Sequence, residues 1–292
     1  MPSPRDIRRR IKSVKNTAQI TKAMQMVASS KMQKAQHAAL QGRPFAAMAR
    51  DLITHLADDA REISHPLMEV RPVKKRAVIV ISTDKGLCGA LNSNLFREVA
   101  KFEPAATEFI AVGRKAAQFL HRAKRKLVAE FGYHDHPTYS DAQAISKCAQ
   151  ELFVKGVVEE VVVIYTRFIN TLSQRPDKKI VLPMVPVEEA KPETGSEVVV
   201  EPGERPHYDF LFEPDAATVI DRLMLYLMDF RIAQLLFEAK ASEQSSRMVA
   251  MKNATDNAGQ LIKDLTLEYN KLRQASITKE LLEISSAQMA LG

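Results

Sequence analysis

Stepping from Ile7 in alternating strides of four and three lands on Ile11, Val14, Ala18, Thr21, Gln25, Ala28, Met32, Ala35 and Ala39. This alternation is a heptad seam. It holds one narrow stripe against a partner helix and predicts a left-handed supercoil. The seam residues are mostly small, so the partner must approach closely. No Gly or Pro interrupts Arg5 to Gln41; Gly42-Arg43-Pro44 offers a bend, and Leu52, Ile53 and Leu56 resume the pattern. The expected first element is a coiled-coil helix within residues 1–60, about 80 Å long at the α-helical rise.

A second seam occupies the other end of the chain. It runs Ile220, Leu223, Leu227, Phe230, Gln234, Phe237, Ala241, Gln244, Met248, Met251, Thr255, Ala258, Ile262, Leu265, Tyr269, Leu272 and Ser276 without a break in its 3,4 alternation. Gln234, Gln244 and Thr255 cost stability at such positions but can fix register. Asp215, after Pro214, is the expected N-cap. The predicted helix lies within residues 210–292 and spans about 110 Å. Two long seams at opposite ends of one chain pair most simply as an antiparallel coiled coil. The longer C-terminal helix should then project beyond its partner.

Between them, within residues 74–206, the period changes. Ala77–Ile81, Phe109–Val112, Lys126–Phe131, Glu160–Phe168 and Lys179–Val187 read as strands. Ala90–Phe102, Arg114–Ala123 and Asp141–Lys155 read as helices, the last capped by Asp141 or Ser140. Strands alternating with helices of 10–15 residues predict a parallel sheet. Glu188–Pro206 is acidic and rich in Pro and Gly, hence a loop or loose hairpin. The fold class is α/β: a Rossmann-like domain inserted between the two halves of a long antiparallel coiled coil.

Composition sharpens this picture. The chain has 292 residues with no Trp, 10 Gly and 6% aromatics, which fits long helices and leaves little for an aromatic-lined pocket. Its net charge is +7, but residues 1–50 hold eleven Lys or Arg against Asp6 alone. That segment carries +10 and the remaining 242 residues sum to −3. A helix so basic, without the acids that usually sit one turn away, seeks an anionic partner. One alternative is a basic coiled-coil nucleic-acid-binding protein. However, residues 1–44 contain no aromatic for stacking, and a shaft within an acidic protein collar fits better. No apolar run approaches a membrane span, no apolar core or cleavage site follows the basic start, and a soluble, non-secreted chain is expected.

Candidate chemistry is sparse. Ser82–Gly89 follows a strand and precedes a helix, as a phosphate-binding turn would. It carries two glycines, Gly86 and Gly89, and neither the dinucleotide nor the P-loop fingerprint. A βα turn with close backbone packing is the simpler reading, with a nucleotide-dependent enzyme kept as the competing one. His134-Asp135-His136 lacks a third metal ligand nearby and reads as a solvated loop. Cys88 and Cys148 match no metal or nucleophile pattern and read as free thiols in a reducing compartment.

The strongest signal is a resemblance. Ile20-Thr-Lys-Ala-Met-Gln-Met-Val-Ala-Ser-Ser-Lys-Met32, Ser82–Gly89 with Leu91–Asn94, Phe168–Thr171, Ala241–Ala258 and Tyr269–Leu281 resemble, in order, the gamma-subunit family of F-type ATP synthases, bacterial type. The resemblance implies a rotor shaft, one copy per complex, whose terminal helices stand inside a ring of three alpha and three beta subunits. Its α/β domain would sit at the foot beside the epsilon subunit and the c-ring of Fo. It implies no catalytic residue, no metal, no cofactor and no nucleic-acid partner. It places the complex peripherally on the cytoplasmic face of a bacterial membrane. Lys22 and Met24 match positions facing the acidic loop of beta, and Arg273 and Gln274 match contacts with the beta and alpha loops that catch the shaft. Leu281–Leu291 matches the tip in an apolar sleeve. The segment Glu188–Pro206 is longer and more acidic than the family's usual connection. The redox segment of the chloroplast form is absent, so thiol regulation is not expected.

Overall fold

A computed structural model describes residues 3–41, 65–135, 137–184 and 215–291. The continuation of the first helix through Leu56 and the 188–206 connection lie outside the described residues.

Helix α1 spans Pro4–Gln41. Its start is set by a reciprocal cap: the Asp6 N–H donates to Ser3 Oγ at 3.2 Å, and Ser3 Oγ donates back to the Asp6 carboxylate at 2.8 Å. Pro4 stands at the first helical position, where its missing N–H costs nothing. The C-terminal helix, the last of five described helices and hence α5, runs Ala216–Leu291. Asp215 caps it, accepting from the Thr218 N–H at 2.8 Å.

The two helices pair antiparallel. Thr21 Oγ1 and Thr255 Oγ1 share a hydrogen bond of 2.7 Å inside the seam. Farther along α1 and farther back along α5, Lys31 and Lys240 meet the same carboxylate, Asp135. Ile7, Thr21, Ala28, Met32 and Ala35 of α1 are buried, as are Met251 and Ala258 of α5. Ile262, Leu265, Tyr269, Leu272 and Ser276 continue the stripe half-buried, with exposed residues between them. With Thr21 level with Thr255, α5 outruns the start of α1 by roughly 27 Å at the helical rise.

Between the helices lies a five-stranded sheet of order β3-β2-β1-β4-β5. Its strands are β1 Arg76–Ile81, β2 Thr107–Val112, β3 Leu127–Phe131, β4 Glu160–Phe168 and β5 Gln174–Leu182. The first four pair parallel, and β5 pairs antiparallel to β4. The expected all-parallel sheet with a last strand at 179–187 is therefore corrected. Residues 169–173 are too few for a parallel crossover. Asn170 Oδ1 instead closes a tight turn, accepting from the Leu172 and Ser173 N–H groups. Pro176, Lys178 and Lys179 lie on this edge strand, residue types that discourage further strand pairing.

Helices α2 (Leu91–Ala100) and α3 (Arg114–Arg122) cover one face of the sheet, packing Leu95, Val99, Ala116 and Leu120 on Val78, Val80, Val162 and Ile164. Helix α4 (Tyr139–Val154) and the lower part of α5 cover the other face. The cap of α4 is Thr138, not Asp141 or Ser140. Asp141 is the third helical residue and reaches back to the Thr138 N–H, completing a capping box. Met224, Leu227, Met228, Ile232, Leu235 and Leu236 of α5 enter the same core as Ile79, Val163 and Tyr165. The shaft helix is thus also a layer of the α/β domain.

Candidate functional site

Where α1, α5 and the sheet meet, charged side chains take over from apolar ones. Asp135, just after β3, accepts from Lys31 Nζ of α1 at 2.7 Å and lies 3.5 Å from Lys240 Nζ of α5. Lys240 is almost wholly buried; it also lies 3.1 Å from Glu243 Oε2 and 5.0 Å from the centroid of the Tyr133 ring. Glu243, equally buried, accepts from Arg247 at 2.7 Å one turn on. The hydrogen bond from Lys31, reinforced by the charge of Lys240, pulls the Asp135 carboxyl down to about 2. A network of this kind ties three elements at one point, and each buried charge in it depends on its partners.

The βα turn after β1 is the second half of this socket. Thr83 Oγ1 donates to the Lys85 carbonyl and accepts from Asn92 Nδ2, both at 2.8 Å, which folds the turn on itself. Leu87 and Gly89 both adopt positive φ there, 62° and 60°, conformations that side chains other than Gly's disfavour. The turn presents carbonyls to α5. Ser246 Oγ donates to the Cys88 carbonyl at 2.7 Å, and Arg247 donates to the Gly86 carbonyl at 3.2 Å. At Gly113, opposite this turn, an added Cβ would lie 2.4 Å from the Ser82 carbonyl oxygen, so the sheet's rim closes tightly there. A loop whose carbonyls hold a guanidinium is built for packing, which accounts for its missing nucleotide fingerprints. Cys88 is buried in it and burial pushes its thiol up, as it does for Cys148; both cysteines are free.

The four residues singled out in the sequence lie along the rod, away from this socket. Lys22 is exposed and Met24 half-buried on α1, next to the Thr21–Thr255 layer; Arg273 and Gln274 are exposed on α5. The structure separates the two pairs by about 30 Å along the helix axis. The exterior also carries Arg5, Arg8, Arg10, Lys12 and Lys15, all exposed, while Arg9 pairs with Asp6 at 3.2 Å. Beyond the seam, Ile277, Leu281, Leu282 and Ile284 are exposed apolar residues at the tip.

Sequence reasoning missed the socket. It treated Asp135 as part of a solvated loop, whereas two lysines from separate helices hold it. His134 pairs with Asp141 at 3.3 Å, and His136 lies outside the described residues. The available signal was the triad Lys240, Glu243, Arg247 at spacings of three and four on a seam helix: charges that satisfy one another are what burial requires.

The family model described as ATP synthase matches residues 3–291. The chain is 47% identical to the ATP synthase gamma chain of Opitutus terrae, covering 99% of each. It is 42% identical to that of Methylacidiphilum infernorum, covering 100% of each. Among solved structures it resembles a chain of the Euglena gracilis mitochondrial ATP synthase (OSCP, F1 and c-ring, rotational state 3). The TM-score is 0.68 and the identity 20%, over 99% of this chain and 94% of that one.

Proposed function

Because the chain belongs to the ATP synthase gamma-chain family, we propose that its rod and socket work as the central stalk of that machine. It is the rotor subunit, coupling rotation of the c-ring to the conformational cycling of the beta subunits. Its partners are the alpha and beta subunits of the surrounding ring, the epsilon subunit and the c-ring. It is a peripheral part of a membrane complex, and the face it occupies is the cytoplasmic one of a bacterial membrane.

The observation that carries this reading is the division of labour along α5. Torque requires a foot that cannot twist on its shaft and a shaft that does not adhere to its bearing. The foot is fixed because α5 is simultaneously a sheet layer, half of the coiled coil and the holder of the β1–α2 turn through Ser246 and Arg247. The shaft is free because its seam is satisfied internally, leaving isolated charges and an apolar tip outward. The subunit itself performs no chemistry; it moves packed surfaces. Lys22 and Met24 meet an acidic element of beta, where opposite charge sets register and encounter, and Arg273 and Gln274 meet ring loops higher up. Arg273 is suited to a forked contact with a carboxylate.

Co-expression with the cognate alpha and beta subunits tests this. The expected product is a stoichiometric complex with one copy of this chain, whose ATP hydrolysis changes when residues 1–34 are removed. No complex, or hydrolysis indifferent to that truncation, overturns it.

A further inference from the structure

Among the described residues, α1 makes two hydrogen bonds to the rest of the chain, and they differ in kind. Thr21 Oγ1 meets Thr255 Oγ1 at 2.7 Å, which ties α1 to α5. Lys31 Nζ donates to Asp135 at 2.7 Å, which ties α1 directly to the sheet domain. The two lie ten residues apart, about 15 Å along the axis. The seam at this level is Gln25, Ala28, Met32 and Ala35. Knobs as short as Ala28 and Ala35 enter their holes only shallowly, so the seam brings α1 close to α5 without gripping it firmly against twist.

Asp135 is not free to follow α1. Its neighbour Tyr133 is buried and donates to the Ser82 carbonyl at the end of β1, at 2.8 Å. His134 pairs with Asp141 in the first turn of α4, at 3.3 Å. From Asp135 the charges alternate inward. Lys31, Asp135, Lys240, Glu243 and Arg247 form a chain of alternating sign, and Arg247 ends it on the Lys85 and Gly86 carbonyls at 3.4 and 3.2 Å. Lys240 and Glu243 are each 3% exposed, so both have given up water and depend on these neighbours. The chain therefore runs without a gap from α1, across the loop after β3 and α5, to the β1–α2 turn. It also orients the outer face of the shaft. Nine residues, about two and a half turns, separate Lys22 from Lys31. A helix anchored on the foot by Lys31 turns Lys22 to the opposite side, where it is exposed.

We propose that Asp135 is a positioning residue for torque transfer: it keys α1 to the foot through Lys31, so that the face carrying Lys22 keeps a fixed angle to the sheet domain as the rotor turns. The inference rests on the rotor assignment and adds to it a second path for torque, beside the one through α5. Buried ion pairs add little net stability over apolar residues of the same volume; here the chain of charges sets an angle between two elements.

Two measurements test this. In the isolated full-length chain carrying Cys88→Ala and Cys148→Ala, spin labels at Gln19→Cys on α1 and Gln118→Cys on α3, both exposed positions, report the distance between shaft and foot. Independent contacts add, so removing one of two should about double the mean-square spread of that distance in Lys31→Met and in Asp135→Asn. Lys31→Arg should keep the parent's spread, as should Lys34→Met, which removes an exposed charge from the next turn of α1. Urea unfolding establishes that each variant is folded before its spread is read. In the complex with the cognate alpha and beta subunits, the dwell angles of a probe fixed to the foot should broaden in Lys31→Met and not in Lys31→Arg. A merely stabilising ion pair would lower the urea midpoint and leave the dwell angles as they were. An unchanged spread in Lys31→Met, equal broadening in Lys34→Met, or broadening confined to the isolated chain would each overturn the assignment. A wild-type complex that does not turn the probe overturns the rotor reading, and the torque role with it.

Discussion

Two stretches of the same helix, α5, obey the same heptad period and live in different surroundings. From Leu227 to Arg247 nearly every side chain is buried or half-buried, facing the sheet on one side and α1 or the β1–α2 turn on the others. From Met251 onward the helix is buried along its seam alone, and past Ser276 every described side chain is exposed. Periodicity sets which face meets a partner helix; it says nothing about how many other partners there are. The first stretch is anchored by neighbours, and the second is left available for them.

The difference predicts a gradient of mutational effects. Glu243→Ala removes the carboxylate between two buried cations, Lys240 and Arg247. Stranded buried charge costs about 4 kcal/mol, to be read as the largest drop in urea midpoint of the series. Leu236→Ala, at a fully buried position, should cost about 3 kcal/mol through the cavity it leaves. The same change at exposed Leu267 should stay within about 0.5 kcal/mol. Equal losses at Leu236 and Leu267 would erase the distinction between the two stretches.

Thr255→Val breaks the Thr21–Thr255 hydrogen bond at the border between them. About 1 kcal/mol is expected and no more, since the Thr21 hydroxyl keeps the Ala18 carbonyl, at 3.1 Å, to donate to. Acid should act on the socket through Asp135. Its carboxyl lies at about 2 in the folded chain against an ordinary 3.8. Its contribution is therefore whole above the ordinary value and is lost as pH falls from there through 2. Asp135→Asn should flatten that part of the stability–pH curve; an unchanged slope would remove Asp135 from the socket. Lys22→Glu should barely move stability, within about 0.5 kcal/mol, yet weaken coupling of proton transport to ATP turnover in the assembled complex. Unchanged coupling would detach that surface from the beta contact.

What could be read from the chain follows these same lines. The seam positions Ile7, Thr21, Ala28, Met32, Met251 and Ala258 are buried where their period puts them, because heptad spacing is a local property of a helix. The strand β1 and its neighbours were legible for the same reason. The direction of β5 was not, since a short apolar run has no direction until the length of its connection is considered. Thr138 was overlooked as a cap because Asp141, three residues on, carries the stronger individual preference but serves as its reciprocal partner. The socket was least legible. Lys31 and Asp135 are 104 residues apart, and nothing local distinguishes them from solvated surface charge.

By itself, then, the sequence determined the two rods, their small-residue seam, the alternating strands and helices between them, and the concentration of positive charge on α1. These depend on spacing and composition within a few turns of chain. Only the tertiary structure decided that α5 is shared between rod and sheet and that Asp135 joins both helices. It also decided that the β1–α2 turn offers carbonyls to Arg247 and that the Thr166 hydroxyl is buried without a hydrogen-bond partner. Those facts arise from contacts between segments far apart in sequence, and burial, which gives a charge or a hydroxyl its energetic weight, exists only once the segments have met.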